Sequence, residues 1–156
     1  MLAAVGIASA LIFAGCGGGG GEGGGGGGGG GEEGPSATIV SDLPLQGANR
    51  AQTTTMVNAI ELAIQQRDGM AGDVAIEYES LDDATAQAGQ WDEAKCAENA
   101  QSVAQRDEVV GWIGPFNSGC AAVEIPILNE ARLGMISPAN TAIGLTKPGE
   151  IGRAHV

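Results

Sequence analysis

Short apolar runs alternate with longer amphipathic stretches between residues 36 and 149. The apolar runs have the length and β-branched composition of buried strands, and they cover residues 37–40, 74–81, 109–113 and 134–137. The amphipathic stretches have apolar residues at helical spacing, and they cover residues 49–67, 92–105 and 120–131. This alternation predicts right-handed βαβ units, and therefore an α/β fold with a parallel sheet and helices on both faces.

The helical spacing also predicts which side chains face the core. The apolar face of the first helix comprises Met56, Ala59, Ile60, Ala63 and Ile64. The inward face of the second helix comprises Ala97, Ala100, Val103 and Ala104.

Ligands of open parallel sheets bind beyond the carboxyl ends of the strands, where loops meet helix amino termini. Segments 43–47, 114–119 and 137–141 fall there. Ser118 stands at a helix start, where free backbone N–H groups favour an anion such as a carboxylate. Thr141 and the loop around Asn140 offer oxygens that suit an ammonium group. The alternative is that Ser118 is only a helix cap and Thr141 only a turn residue.

The amino end has the pattern of an export signal. Residues 1–14 are uncharged and apolar, too short to span a bilayer but typical of a signal-peptide core. Residues 13–16 (FAGC) resemble the lipobox of bacterial lipoproteins, which implies that Cys16 becomes the acylated amino terminus of a lipid-anchored protein. The alternative is a buried apolar terminus with an incidental cysteine. Residues 17–35, which hold most of the chain's 28 glycines, predict a flexible tether.

The carboxyl end does not read as native protein. Read back into codons, residues 150–156 (EIGRAHV) resemble a widely used sequencing adapter that continues into a stop triplet. We therefore expect an artefact here, with a genuine tail as the alternative. The folded part is then residues 36–149, and His155, the single histidine, drops out of the argument.

The charge and the residue types exclude several classes of function. A net charge of −12 argues against binding to nucleic acid or to an anionic membrane surface. Without His155 there is no Ser–His or Cys–His arrangement and no zinc-type cluster, and the glycine spacing does not match a phosphate loop. We expect no catalytic residue, no metal and no cofactor.

Two pairs of residues invite other interpretations. Asp82 and Asp83 suggest a metal or acid–base site, but in a polar turn without histidine we expect capping or solvation. Cys96 and Cys120 remain as a pair once the lipobox cysteine is set aside, which in an exported protein suggests a disulfide. Two unpaired buried thiols are the alternative.

Five segments together resemble the periplasmic branched-chain amino acid binding proteins, the solute receptors of ABC importers. They are residues 42–47 (DLPLQG), 81–84 (LDDA), 113–119 (IGPFNSG), 125–129 (IPILN) and 135–141 (MISPANT). The resemblance covers about residues 38–148. It implies a type I periplasmic-binding fold, in which two α/β lobes close on a ligand, with this chain forming the amino-terminal lobe.

The resemblance also implies site residues. Ser118, Asn140 and Thr141 stand where the family holds the ligand's α-carboxylate and α-ammonium groups, and Asn140 fits a backbone contact better than a side-chain contact. Asn117, Phe116 and Gln46 complete the expected ligand-binding set. The family's acidic partner for the ammonium lies in the second lobe. Some relatives pair cysteines near Cys96 and Cys120, which favours the disulfide.

These expectations combine into one functional hypothesis. The chain is expected to be a fragment of an extracytoplasmic, lipid-anchored receptor that captures a branched-chain amino acid or related amide and delivers it to an ABC permease. The alternative is the ligand-sensing domain of a receptor or amide-responsive regulator, since the fold serves both. An enzyme would require a nucleophile or a metal site in the part that is missing.

Overall fold

The computed structural model describes residues 34–147. The predictions for the signal peptide, for Cys16, for nearly all of the glycine tether and for residues 150–156 lie outside the described residues. Within residues 34–147, no helix has both the length and the hydrophobicity needed to cross a membrane.

The described part contains seven strands and three α-helices. The strands are β1 (Ser36–Leu43), β2 (Met70–Ala71), β3 (Val74–Asp82), β4 (Ala84–Thr85), β5 (Gln90–Trp91), β6 (Val109–Ile113) and β7 (Met135–Ile136). The α-helices are α1 (Arg50–Gln65), α2 (Glu93–Val103) and α3 (Ser118–Glu130). Short 3-10 helices cover Gly47–Asn49 and Ile143–Thr146.

Five strands form the main sheet in the order β2-β3-β1-β6-β7. Strands β3, β1, β6 and β7 are parallel, and only β2 at the edge is antiparallel. The chain moves outward from β1 in both directions, first through α1 to β3 and then through α2 and α3 to β6 and β7. The predicted α/β fold with a parallel sheet is therefore confirmed.

The core lies between the sheet and the helix pair α2 and α3. It is a cluster of buried side chains comprising Val40, Ala100, Val103, Val109, Trp112 and Leu128. The inward face of α2 differs from the prediction, because Cys96 and Asn99 are buried while Ala97 and Ala104 are only half-buried. The helix is rotated in this way because Cys96 and Asn99 both have partners in the interior, which apolar spacing alone does not reveal.

Helix α1 covers the opposite face of the sheet incompletely. The apolar face predicted for this helix borders an open groove of about 560 Å³, and Ile39, Ile76 and Ile113 line the groove on the sheet side. Thr53 is the buried residue of α1, where its hydroxyl donates to the carbonyl of Pro44 at 2.5 Å. One face of the sheet is therefore closely packed and the other remains partly open.

The short hairpins are absent from the sequence prediction. The polar segment after Asp82 and Asp83 contains the antiparallel pair β4 and β5, which the apolar runs do not predict. Met70 pairs with Ala75 in a second hairpin, between β2 and β3. Strands of two residues are too short for a period-2 pattern to develop, so periodicity cannot detect them.

Candidate ligand-binding site

The candidate site lies at the carboxyl ends of β1, β6 and β7, as the βα pattern predicts. Gly114 begins the loop after β6 with φ of +147°, and a Cβ atom there would overlap the carbonyl oxygen of Asp42. Only glycine fits this close approach. This close approach places the loop that leads to α3 directly against the end of β1.

Ser118 and Thr141 are brought together. The Ser118 hydroxyl oxygen accepts hydrogen bonds from the backbone N–H groups of Thr141 at 3.2 Å and Ala142 at 3.3 Å. Ser118 is the first residue of α3 and does not cap it, because Asn117 occupies the N-cap position. With both lone pairs engaged, the hydroxyl proton of Ser118 remains available for donation. It lies beside the first-turn N–H groups of α3, which have no intrahelical acceptors.

Asn140 holds two loops together. Its side-chain amide donates to the carbonyl oxygens of Pro115 at 3.2 Å and Phe116 at 3.1 Å. Ser137 strengthens the same junction, since its hydroxyl donates to the Pro115 carbonyl at 2.7 Å and accepts from the Asn140 N–H at 3.0 Å. The side chain of Asn140 therefore positions the site, which agrees with the expectation that its ligand contact is made by backbone. The role of Ser137 was missed, because the sequence pattern gives no sign of this loop-to-loop contact.

Asn117 and Phe116 lie in the loop between β6 and α3. The side chain of Asn117 makes no capping hydrogen bond, and its Oδ1 atom is buried without a partner among residues 34–147. The backbone carbonyl of Asn117 accepts the Ala121 N–H at 3.1 Å. Phe116 is half-buried. Both residues adjoin Ser118 in the loop, and their contact with a ligand stays a prediction.

Gln46 has a different environment. Its side-chain amide donates to Asp82 Oδ2 at 3.0 Å and to the carbonyl of Ala84 at 2.9 Å. Asp82 Oδ1 also accepts the N–H groups of Leu45 at 2.8 Å and Ala84 at 2.9 Å. Gln46 therefore fixes the loop after β1 to the end of β3, and its amide nitrogen is already engaged. The capping role expected of Asp82 is confirmed.

Trp91 supports the start of α3. A Cβ atom at Gly119 would overlap the six-membered ring of the Trp91 indole, so the ring lies directly against the helix backbone. The hairpin of β4 and β5, which carries Trp91, also accepts the Ala48 N–H through the Gly89 carbonyl at 3.0 Å. The hairpin therefore contacts both the first loop of the site and the helix that bears Ser118.

Solvation was the wrong expectation for Asp83, which is fully buried. Burial is the main cause that raises the pKa of Asp83 to about 8, and the nearby carboxylates of Asp42 and Asp82 contribute to the same shift. Its Oδ1 atom has no hydrogen-bond partner among the described residues. Asp83 is therefore an uncharged carboxyl group at neutral pH, held inside the protein.

Asp42 and Glu124 form a buried carboxyl pair. Burial raises the pKa of both groups, and it raises that of Glu124 further than that of Asp42. Glu124 is therefore uncharged at neutral pH. The Trp112 indole N–H donates to Glu124 Oε2 at 3.0 Å, and the Asn99 amide donates to Asp42 Oδ1 at 2.8 Å.

A disulfide between Cys96 and Cys120 joins α2 to α3, with a Cα–Cα distance of 5.7 Å. Its sulfur atoms lie among the buried carboxyl groups. Cys120 Sγ is 3.0 Å from Glu124 Oε1 and 3.7 Å from Asp83 Oδ2. The first turn of α3 is thus fixed covalently below the loop that carries Asn117 and Ser118.

Solved structures provide the comparison with known proteins. No protein-family model matches the chain, and no curated protein matches it. The substrate-binding protein LivJ of the branched-chain amino acid transporter of Streptococcus pneumoniae, solved with isoleucine, matches with a TM-score of 0.62 and 23% identity over 71% of this chain. The leucine-binding protein LivK of Thermotoga maritima matches with a TM-score of 0.61 and 22% identity over 72% of the chain.

A third structure, an ABC transporter substrate-binding protein of Desulfitobacterium hafniense complexed with leucine, matches with a TM-score of 0.61 and 25% identity over 73% of this chain. The chain spans 30–32% of the length of these three proteins. The predicted resemblance to branched-chain amino acid substrate-binding proteins of ABC transporters is confirmed at the level of the fold, which is that of type I periplasmic-binding proteins. The structural neighbours are transport receptors.

Proposed function

We propose that the chain is the amino-terminal lobe of an extracytoplasmic solute receptor that captures a branched-chain amino acid or a related amide for an ABC permease. The shared fold with amino-acid-binding neighbours supports this proposal. The observation that carries it is the meeting of Ser118 with the backbone of Thr141 at the amino terminus of α3.

The geometry suits the two charged ends of an α-amino acid. The Ser118 hydroxyl proton and the first-turn N–H groups of α3 are donors for an α-carboxylate, and the helix dipole adds to their attraction. Thr141 is exposed, so its hydroxyl and carbonyl oxygens can accept from an α-ammonium group. An amide ligand would use the same donors through its carbonyl oxygen, with less electrostatic gain.

The affinity of the whole receptor depends on a second lobe. The neighbours are more than twice as long as this chain, and the lobe proposed here offers only one wall of a clamp. Most of the surface of a small ligand bound at Ser118 would remain in water. The chain alone is therefore expected to bind amino acids in the millimolar range, not the micromolar range.

Amide NMR spectra of the labelled chain, titrated with L-leucine, test the proposal. We expect shifts confined to the N–H signals of Ser118, Gly119 and Thr141 and their neighbours, with weak saturation. Leucinol lacks the carboxylate and should produce much smaller shifts. Ser118→Ala should abolish the response, while Ser102→Ala on α2 should preserve it. Shifts centred elsewhere, or equal responses to leucine and leucinol, would contradict the proposed site.

We also propose that Cys16 carries the lipid that anchors the receptor outside the cytoplasmic membrane. Expression of the chain in a bacterium supplied with labelled fatty acid should label the protein, and Cys16→Ser should remove the label. Cys96→Ser with Cys120→Ser is the matched control, since it retains Cys16. Labelling that survives Cys16→Ser would contradict the anchor.

A further inference from the structure

We propose that, when the Cys96–Cys120 disulfide is reduced, the two cysteines together with Asp83 and Glu124 form a tetrahedral zinc site. The sequence predicts no metal, because His155 is set aside with residues 150–156 and these four residues are scattered over the chain. The fold brings them together below the loop between β6 and α3. All four side chains are fully buried.

Three of the four donor atoms already lie at ligand spacing, and the fourth, from Glu124, lies beside Cys120. The ligand atoms of Asp83, Cys96 and Cys120 are all within 4.8 Å of one another, and so are those of Asp42, Cys120 and Glu124. In a tetrahedral zinc site with Zn–S of about 2.3 Å and Zn–O of about 2.0 Å, sulfur and oxygen ligands are roughly 3.5 Å apart. The distances from Cys120 Sγ to Glu124 Oε1 and Asp83 Oδ2 are 3.0 and 3.7 Å.

The hydrogen bonds leave the required atoms available. Asp83 Oδ2 faces Cys120 Sγ, and Oδ1 of the same carboxyl group is buried with no partner among the described residues. Glu124 Oε2 accepts from the Trp112 indole, which orients the carboxyl group and leaves Oε1 facing Cys120. The Asn99 amide donates to Asp42 Oδ1. Asp42 is therefore suited to lie outside the four zinc ligands, where it would orient Glu124.

The reduction of the disulfide and the binding of zinc balance in atoms and in electrons. A phosphine and one water molecule reduce the disulfide: the Sγ–Sγ bond breaks, the phosphine becomes a phosphine oxide, and two thiols form. A cellular dithiol achieves the same by closing its own disulfide. Zn²⁺ then displaces the thiol protons of Cys96 and Cys120 and the carboxyl protons of Asp83 and Glu124. The resulting site carries the same formal charge as a four-cysteine zinc site, which is a common structural arrangement.

The intact disulfide excludes the metal, since disulfide sulfur atoms carry no thiolate charge. The site therefore exists only in the reduced chain. There, zinc would tie α2 to α3 at the same point as the disulfide does in the oxidised chain. The inference stands independently of the proposed receptor function, because it requires neither ligand nor permease.

Cobalt substitution in the full chain provides the test, with Cys16→Ser as the background so that only two thiols are present. After phosphine reduction under argon, Co²⁺ should give the intense ultraviolet charge-transfer band of cobalt thiolate and the visible bands of tetrahedral cobalt. Zinc should displace it at one ion per chain. The oxidised chain should show neither signal.

Carboxyl variants distinguish a zinc site with four protein ligands from zinc binding by the two thiols alone. Asp83→Asn and Glu124→Gln should each weaken zinc binding at least about tenfold, since even outer partners of metal ligands contribute 10–100-fold. The exposed Asp73→Asn and Glu130→Gln are matched controls and should leave the affinity unchanged. Circular dichroism of each oxidised variant verifies its folding.

Two outcomes would overturn the proposal. The first is the absence of tetrahedral cobalt bands in the reduced chain. The second is an affinity that depends on the cysteines but is the same in Asp83→Asn, Glu124→Gln and the two controls. If one carboxyl variant does not fold, the other decides the result together with the zinc stoichiometry.

Discussion

Asn99 Nδ2 donates to Asp42 Oδ1 at 2.8 Å and thereby joins α2 to the carboxyl end of β1 inside the protein. The same amide group donates to the carbonyl of Asp82 at 3.1 Å. Asn99→Ala would leave both oxygens without this donor in a buried environment. We expect the free energy of unfolding to fall by about 2–3 kcal/mol. The exposed Gln101→Ala on the same helix should change it by less than about 0.5 kcal/mol. Urea denaturation measures both, and equal losses would contradict the role of the amide.

The stability of the fold should decrease as the pH rises. The pKa of Asp83 in the folded chain is about 8, above its ordinary value of 3.8, so the folded state binds more protons between these limits. The contribution of Asp83 to the free energy of unfolding is complete below pH 4 and is lost as the pH rises through 8. The raised pKa values of Asp42 and Glu124 act in the same direction.

Between pH 5 and pH 8 we expect Asp83 alone to account for a loss in the free energy of unfolding on the order of 3 kcal/mol, at 1.36 kcal/mol per pKa unit. Asp83→Asn removes this share and should make the pH dependence shallower, whereas the exposed Asp73→Asn should retain the full dependence. Denaturation midpoints measured across this pH range provide the comparison. A midpoint that rises from pH 5 to pH 8 would show that the buried carboxyl groups do not control stability.

The disulfide can be tested by thiol labelling. Denatured, unreduced Cys16→Ser chain should incorporate no label, with Cys96 and Cys120 protected, and prior reduction should expose both. Combined Cys96→Ser and Cys120→Ser should lower the free energy of unfolding by about 3–4 kcal/mol in the chain-entropy model for a loop closed over 24 residues. Labelling of Cys96 and Cys120 without reduction would be the contrary result.

Gly114 should not tolerate a side chain. Gly114→Ala introduces a side chain at φ of +147° and forces its Cβ atom onto the Asp42 carbonyl. We expect a loss of about 2–4 kcal/mol in stability. Gly134→Ala is the control, since a Cβ atom there meets no atom within 4 Å. Comparable thermal unfolding of the two variants would count against the close approach of the loops.

The elements with strong periodicity were predictable from the sequence. Residues 109–113 were predicted as a strand and form β6, and α1 and α3 begin within about two residues of the predicted starts. The loops that hold Ser118 and Thr141 follow from the rule for parallel sheets. What the sequence could not provide was the partner of each polar side chain. The side-chain amide of Gln46, for example, donates to Asp82.

The buried carboxyl groups illustrate the same limit. Asp83 follows a strand in a polar segment, which favours solvation, yet the hairpin of β4 and β5 and the start of α3 enclose it. Glu124 lies on the inward face of α3, where its only visible sign is a charge among apolar neighbours. Long-range packing determines both environments, and a local sequence pattern does not reveal this packing.

Because Trp91 contacts Gly119 at the start of α3, the fluorescence of Trp91 can report on the candidate ligand-binding site. The chain has two tryptophans, and the other, Trp112, is only 1% exposed and is held by Glu124 in the core. Occupancy at the start of α3 should change the emission of Trp91, while that of Trp112 serves as an internal reference. Ligand screening of this lobe therefore requires no added dye.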